Sequence, residues 1–425
     1  VISIRLRAEQ EADMDFELQA RTDAGRAFVE QAEKHAKEAE AGAEERDRDS
    51  RFPTEIIESM KASGFTKAPL PAEFGGGGLT SVHDMLIGMN RLGRADAGLA
   101  IAINMHFAIA WATPRIWRGA VEAGDREQQT TMEGFFALMG AGTIVMANAT
   151  EPGTHLGAPF TEIEKVEGGW RINGGKIFST LSPVADVFLV SGRERRSDGP
   201  DLGGFAIVFR GAEGQTINDD WDALGMRSSG SGSVVYRDCV VPDQMRLPGG
   251  EYGKAEQNGL IIGSAGNSGL VATMLGIAEA AAEHVIAMAT TRKKGPEGRL
   301  IADRRGIQHA VAEMRASLVT SRSLLERVGD LCDQVLVDRP VADVSMADLH
   351  ALNAEFQAAK LVSNRCAIDA VDKALQISGG QGYMTSSPLS RAYRDVRAGP
   401  FMQIYSPNEA YEYIGKVTLG LPPVV

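Results

Sequence analysis

Gln376-Ile377-Ser378-Gly379-Gly380-Gln381-Gly382-Tyr383, then Arg394-Asp395, then Ala398-Gly399-Pro400-Phe401-Met402-Gln403-Ile404-Tyr405-Ser406-Pro407-Asn408-Glu409, is the stretch on which the reading of this chain turns. Its first part is a glycine turn at the end of a helical run. Without a Cβ, Gly379, Gly380 and Gly382 let a backbone approach a ligand closely, and they also suit a plain helix stop. Its last part, Ser406-Pro407-Asn408-Glu409, reads as a capping box with Ser at the N-cap, Pro at N1 and Glu at N3.

Working outward, Leu270, Met274, Ile277, Ala281, Val285 and Met288 recur at spacings of three and four, as do Ile307, Val311, Met314, Leu318, Leu325 and Val328. A third helix is expected over 346–376 and a fourth after Ser406, and four helices on short loops suggest a bundle. Upstream, residues 140–250 carry short strands: Val187-Phe188-Leu189-Val190, Phe205 to Phe209, Val234-Val235-Tyr236, and a hairpin around Trp170 whose turn is expected at Asn173-Gly174. Residues from about 15 to 135 read as helical. An amphipathic helix is expected between Pro53 and Gly64, followed by a glycine-rich loop from Pro71 to Gly78. The expected fold is α+β: an N-terminal helical domain over 15–138, a middle β domain over 139–253 and a C-terminal helical bundle over 254–425.

The chain has 425 residues, 44% hydrophobic and 24% charged, enough for several packed layers. A net charge of −12 and a pI near 5.2 argue against nucleic acid as the main partner. The three cysteines, Cys239, Cys332 and Cys366, fit neither a metal site nor a disulfide framework, so no metal and a cytoplasmic location are expected. The longest apolar run, Leu99 to Ala112, is read as too short to span a bilayer, and no membrane association is expected. Met14 is read as the natural start, with residues 1–13 preceding it.

Four segments lie in order along the chain: Ala149-Thr150-Glu151-Pro152-Gly153; Gly168 to Thr180; Trp221 to Arg227 with Val235 to Pro242; and Gln376 to Asp395. Together they resemble the acyl-CoA dehydrogenase superfamily of flavoproteins. The resemblance implies a helical N-terminal domain, a middle β-barrel and a C-terminal four-helix bundle, matching the helix–β–helix order. It also implies FAD, with FMN as the alternative for a monooxygenase. Thr150 and Thr180 would offer hydroxyls to the isoalloxazine edge, and Phe178 would stand in for a tryptophan that shields one ring face. Gln376, Gly379, Gly380 and Gly382 would meet the adenosine and pyrophosphate of a FAD held by a neighbouring subunit, which implies a homodimer or homotetramer. Arg292 matches an arginine used on the pyrophosphate, although a helix-end charge beside Lys293 and Lys294 is the plainer account. Arg305 stands where the family has a glutamine near the cofactor. The family's Gly-Ser-Asp after the Thr-Glu-Pro-Gly segment is replaced by Thr154-His155-Leu156-Gly157, which makes His155 and Leu156 candidates for the substrate-binding mouth.

The resemblance also exposes a gap. Acyl-CoA dehydrogenation needs a base for the α proton while the β hydrogen leaves as hydride, and a carboxylate of raised pKa does this well. The family's glutamate falls on Gln403 here, or on Ser406 in a gapped reading, and the other family location falls on Gly266 beside Asn267. Glu409 is the nearest carboxylate, with capping as its plain role; Asp96 and His106 are further candidates from the N-terminal domain. Three functions follow: an acyl-CoA dehydrogenase-like oxidoreductase with a displaced base, a flavin-dependent monooxygenase on the same fold, or a non-catalytic partner in a hetero-oligomer. The implied redox partner is an electron-transfer flavoprotein or a flavin reductase.

Overall fold

The computed structural model describes residues 17–155, 157–296, 298–402 and 404–423. Two of the candidates above, Leu156 and Gln403, lie outside the described residues, as do residues 1–16 with Met14.

The N-terminal helices are α1 (Asp23–Glu40), α2 (Ala43–Asp49), α3 (Thr54–Ser63), α4 (Val82–Ala95), α5 (Ala97–Ala123) and α6 (Arg126–Gly140). Their ends follow local chemistry. Thr22 accepts the Gly25 N–H at the start of α1, Asp96 accepts the Leu99 N–H at the start of α5, and Gly64 closes α3 at φ +80°. The apolar run that looked too short to cross a membrane belongs to the 27-residue α5, which is long and apolar enough by that measure. The run ending at Thr291 qualifies too, but 89% of each apolar window is buried inside the fold. Core packing accounts for their hydrophobicity.

The middle region holds two four-stranded sheets. One is ordered β1 (Val145–Asn148), β4 (Val187–Ser191), β5 (Leu202–Phe209) and β8 (Arg246–Glu251); the other β2 (Glu162–Val166), β3 (Gly169–Lys176), β7 (Val234–Val241) and β6 (Gln215–Ile217). Ile163, Ile172 and Tyr236 from one sheet share a core with Phe188, Val190 and Val208 from the other. A backbone bridge between Glu162 and Arg193 ties the sheets at one edge. The expected hairpin exists, but its turn is not Asn173-Gly174. The strands turn at Glu167 and Gly168, where Gly168 has φ +83°, and Asn173 sits at a β-bulge inside β3. Its Oδ1 accepts the Asp238 N–H across the sheet at 2.7 Å, so a turn dipeptide is spent on an irregular ladder.

The C-terminal region contains α7 (Gln257–Ile261), α8 (Ser268–Thr291), α9 (Arg305–Cys332), α10 (Met346–Ser378), α11 (Pro388–Asp395) and α12 (Pro407–Thr418). The predicted α8 stripe is buried from Leu270 to Met288, and Met314, Leu318, Leu325 and Val328 of α9 join the same core. Each such side chain contributes roughly 1.5–3 kcal/mol by leaving water. The bundle is not built from this region alone: α8 packs against α4 of the N-terminal region as well as against α10, and the short α12 lies along α10. A π-turn at Ile262–Gly266 interrupts the helical run just before α8.

Candidate flavin site

Three groups of residues carry the expected chemistry, and the fold holds each by a different device. The first is on the middle sheets. The Ile177 N–H donates to the Thr150 carbonyl at 3.0 Å, which sets the chain after β1 beside the chain after β3. Thr150, Phe178 and Thr180 are thereby brought together. Beneath them Lys176, fully buried, donates to Glu151 and to the Ser191 carbonyl at 2.7 Å, while Glu151 accepts the Thr161 N–H at 3.1 Å. Desolvation lowers the Lys176 pKa to about 8 against the pull of Glu151. Desolvation pushes Glu151 up, but the Lys176 charge and the Thr161 N–H hold it below the ordinary carboxylate range. The pair is a buried ion pair at neutral pH.

Phe178 is 60% exposed and has φ +50°; Leu181 and Met226 nearby have φ +77° and +52°. Left-handed backbone at bulky residues is strained and concentrates at functional sites. Trp221 packs edge-on to Phe178 with ring centroids 6.0 Å apart, and its indole N–H donates to the Met226 carbonyl. Thr180 Oγ1 lies 2.8 Å from Ser231 Oγ, which lies 2.6 Å from Ser229 Oγ. This hydroxyl chain was missed in the sequence; its only signal was the Ser-Gly run over 228–233.

The second group lies at the end of α10. Gly379 turns the chain at φ +65°, and Arg292, following α8, donates to the Gln381 side chain. Arg292, Gln376, Gly379 and Gly380 are exposed, and a Cβ on Gly379 or Gly380 would meet nothing within 4 Å. Gly382 is different, because its Cβ would strike Ser378; its glycine is required by packing within the turn. Arg305 is exposed at the start of α9. Among the described residues, no hydrogen bond or ion pair joins this group to Thr150, Phe178 or Thr180.

The third group follows Gln403 in sequence. Ile404, at φ +68°, lies over Gly263 in the π-turn, where any Cβ would collide with it. Lys360, buried on α10, donates to the Tyr405 carbonyl, and Tyr405 stacks on Tyr413 at 4.9 Å. Glu409 Oε2 accepts the Ser406 N–H at 2.7 Å, the predicted capping box. At Gly266, from which the alternative base would project, a Cβ would come within 3.3 Å of Ala108.

The other candidates are structural in geometry. His106 is fully buried, accepts the Val145 N–H at 3.1 Å and donates to the Thr66 carbonyl at 3.1 Å; burial lowers its pKa to about 4, so it stays neutral. Asp96 caps α5, accepts from Ser228 at 2.8 Å and pairs with buried Arg46 at 3.1 Å. His155 is exposed, and its carbonyl accepts the Ala158 N–H in a turn. Arg394 pairs with Asp47 at 2.9 Å, while Asp395 accepts the Met226 N–H at 2.7 Å, so this pair ties the bundle to both other regions. Burial raises Asp395 to about 6, opposed by Arg391 and reinforced by Asp47 and Asp96.

Family models for the acyl-CoA dehydrogenase N-terminal, middle and C-terminal domains match residues 22–130, 144–239 and 268–406. The chain belongs to the acyl-CoA dehydrogenase family. This family member is similar to an amino sugar nitrososynthase of Streptomyces peucetius, 32% identical over 94% of this chain and 95% of that protein. Among solved structures it resembles KijD3 in complex with FMN and dTDP-3-amino-2,3,6-trideoxy-4-keto-3-methyl-D-glucose, with a TM-score of 0.88 and 29% identity over 97% of this chain and 98% of that one. Butyryl-CoA dehydrogenase from Megasphaera elsdenii superposes with a TM-score of 0.79 and 25% identity over 96% and 100% of the two chains. The protein is a flavin-dependent oxidoreductase of the acyl-CoA dehydrogenase fold. An exposed aromatic ring, Phe178, beside side-chain hydroxyls is the kind of surface on which a flavin ring packs and to which it hydrogen-bonds.

Proposed function

We propose that this protein is a flavin-dependent monooxygenase that oxidises the amino nitrogen of a nucleotide-linked amino sugar. The observation that carries the proposal is the absence of a carboxylate at either family base position, Gln403 or Gly266, together with the commitment of Glu409 to the Ser406 cap. Oxygenation of an amine removes no α proton from a thioester, so these positions are free to be uncharged. The similarity to nitrososynthases over nearly the full chain supports the same reading.

Bound reduced flavin would supply activated oxygen from O2, one atom going to the substrate nitrogen and the other leaving as water. The chain's own contribution is to hold and shield. Thr150 and Thr180, the latter hydrogen-bonded to Ser231, would offer hydroxyls to the flavin, and Phe178 would pack on a ring face. Ile404 lies over Gly263 as an apolar contact next to Gln403 in sequence. Arg292 and the turn at Gly379 would serve a pyrophosphate, that of FAD or of the nucleotide sugar, in a homo-oligomer. Electrons would come from a separate flavin reductase.

The test supplies purified protein with FMN or FAD, a reductase with NADH, and a dTDP-amino sugar under 18O2. The expected product carries one heavy oxygen on nitrogen. The dehydrogenase reading is favoured by the relatives that bear that name. Anaerobic bleaching of the bound flavin by any acyl-CoA, with no amine oxidation, would replace the proposal with it.

A further inference from the structure

The chain after β3 that carries Thr180 is zipped to the Ser-Gly run over 228–233. The Ser179 N–H donates to the Gly232 carbonyl at 3.0 Å, and the Leu181 N–H donates to the Ser229 carbonyl at 3.3 Å. Gly230 turns the run at φ +57°, and a Cβ there would meet Pro183 at 2.5 Å and Phe52 at 2.7 Å. The turn sets the Ser229 and Ser231 hydroxyls 2.6 Å apart, and the zip sets Ser231 2.8 Å from the Thr180 hydroxyl. Ser229 is 0% exposed and Ser231 4%, whereas Thr180 is half-buried. Three hydroxyls thus form a line from the interior to the candidate flavin site.

Each hydroxyl has one proton to give, and counting the protons gives the line a direction. Among the described residues, Ser231 is the one hydrogen-bond partner of the Ser229 hydroxyl. If Thr180 donated to Ser231 and Ser231 to Ser229, the Ser229 proton would be buried without an acceptor. If Thr180 and Ser229 both donated to Ser231, the Ser231 proton would be the orphan. A buried donor left unmade costs its full desolvation, so both arrangements are disfavoured. The outward order, Ser229 to Ser231 to Thr180, places both buried protons. The Thr180 proton then has only the Phe178 carbonyl, at 3.4 Å, and that oxygen already accepts the Thr180 N–H at 2.8 Å. So long a contact is readily exchanged for a better acceptor.

We infer that Ser231, backed by Ser229, is a positioning residue that makes Thr180 a hydrogen-bond donor toward the flavin, so that the ring offers this hydroxyl an acceptor atom and not its imide N–H. The inference rests on the placement of Thr180 at the flavin edge proposed above. Hydrogen bonds in a chain polarise one another, so a Thr180 hydroxyl fed by Ser231 donates more strongly than one standing alone.

The test is a double-mutant cycle on the binding of oxidised FMN and FAD by the full-length protein, read as quenching of flavin fluorescence and as the position of the bound flavin's absorption band. Ser231→Ala is expected to weaken flavin about fivefold and to move the band toward that of free flavin. Ser231→Cys keeps the volume and offers only a weak S–H donor, so it is expected to do the same, which separates the hydrogen bond from packing. Thr180→Val is expected to weaken flavin at least as much, and Ser231→Ala is expected to add less than about twofold in the Thr180→Val background. An equal loss from Ser231→Ala in both backgrounds would mean a merely structural role and overturn the inference. Wild-type binding and spectrum in Ser231→Ala and Ser231→Cys would overturn the inference alone. Undiminished binding by Thr180→Val would overturn the placement of Thr180, and no flavin binding by the wild-type protein would overturn the flavin reading; the inference falls with either.

Discussion

Replacing Lys176 by methionine tests the account of how the flavin edge is held. Lys176 Nζ has three partners, the Glu151 carboxylate and the carbonyl and hydroxyl of Ser191, the last two at 2.7 and 3.0 Å. Methionine fills similar volume, so little of the effect comes from a cavity. What remains is Glu151, buried at 6% exposure, with the Phe160 and Thr161 N–H groups as its remaining hydrogen-bond donors among the described residues. Breaking one side of a buried pair costs about 3–5 kcal/mol, whereas replacing both sides is often near neutral. Lys176→Met should therefore destabilise by about 3–5 kcal/mol. Adding Glu151→Gln should recover at least about 1 kcal/mol of that, a non-additive response that identifies the pair as the cause.

Urea unfolding of the flavin-free protein, followed by circular dichroism, gives the midpoints. A chain of this size need not unfold in one step. A local measurement is therefore needed, and hydrogen exchange at the Ile177 amide supplies it, because that N–H joins the two segments of the candidate flavin site through Thr150. Its protection should fall in Lys176→Met and return in part in the double variant, with flavin affinity following the same order. A single variant within about 1 kcal/mol of wild type, or a double variant that loses the sum of the two single losses, would refute the reasoning.

Three further outcomes are expected. Asp395 has a folded pKa raised to about 6 from 3.8, so the folded state holds the extra proton between these values and stability is lost as pH rises through them; Asp395→Asn should remove this dependence, worth up to roughly 3 kcal/mol between pH 4 and 7, in paired urea curves. Phe178→Gly relieves left-handed strain and loses the exposed ring, so its stability should stay within about 1 kcal/mol of wild type while flavin binding, read by fluorescence quenching, weakens about tenfold. Glu409→Ala should lower stability by about 1 kcal/mol in thermal melts and leave turnover in place, since its carboxylate serves the Ser406 cap.

Much of this molecule is legible in its sequence because the informative features are local. The α8 and α9 stripes announce themselves at spacings of three and four, and the Ser406–Glu409 box lies within one helical turn. Thr150, Phe178 and Thr180 could be proposed because each sits in a short motif. What the sequence hides is pairing across distance. Ser231 reaches Thr180 over 51 positions, and no local pattern marks it. Asn173-Gly174 misled because its side chain and backbone suit a tight turn and a bulge equally well, and the choice between them is made by Asp238 on the neighbouring strand. The α5 run misled in the other direction: its length came from residues beyond the apolar stretch, and its burial from the surrounding helices.

The base position shows why an absence in sequence needed geometry to interpret. A missing glutamate alone is compatible with a base displaced by one turn. The described residues that follow Gln403 in sequence are committed to other contacts. Ile404 occupies the space above Gly263, the Tyr405 carbonyl receives a buried ammonium, and Glu409 is turned to its own helix start. Glu409, the carboxylate nearest to Gln403 in sequence, is thus held by its own cap, and Lys360 by the Tyr405 carbonyl. The capping of Glu409 removes the nearest substitute for the absent glutamate, and this supports the proposal of a reaction that takes no α proton.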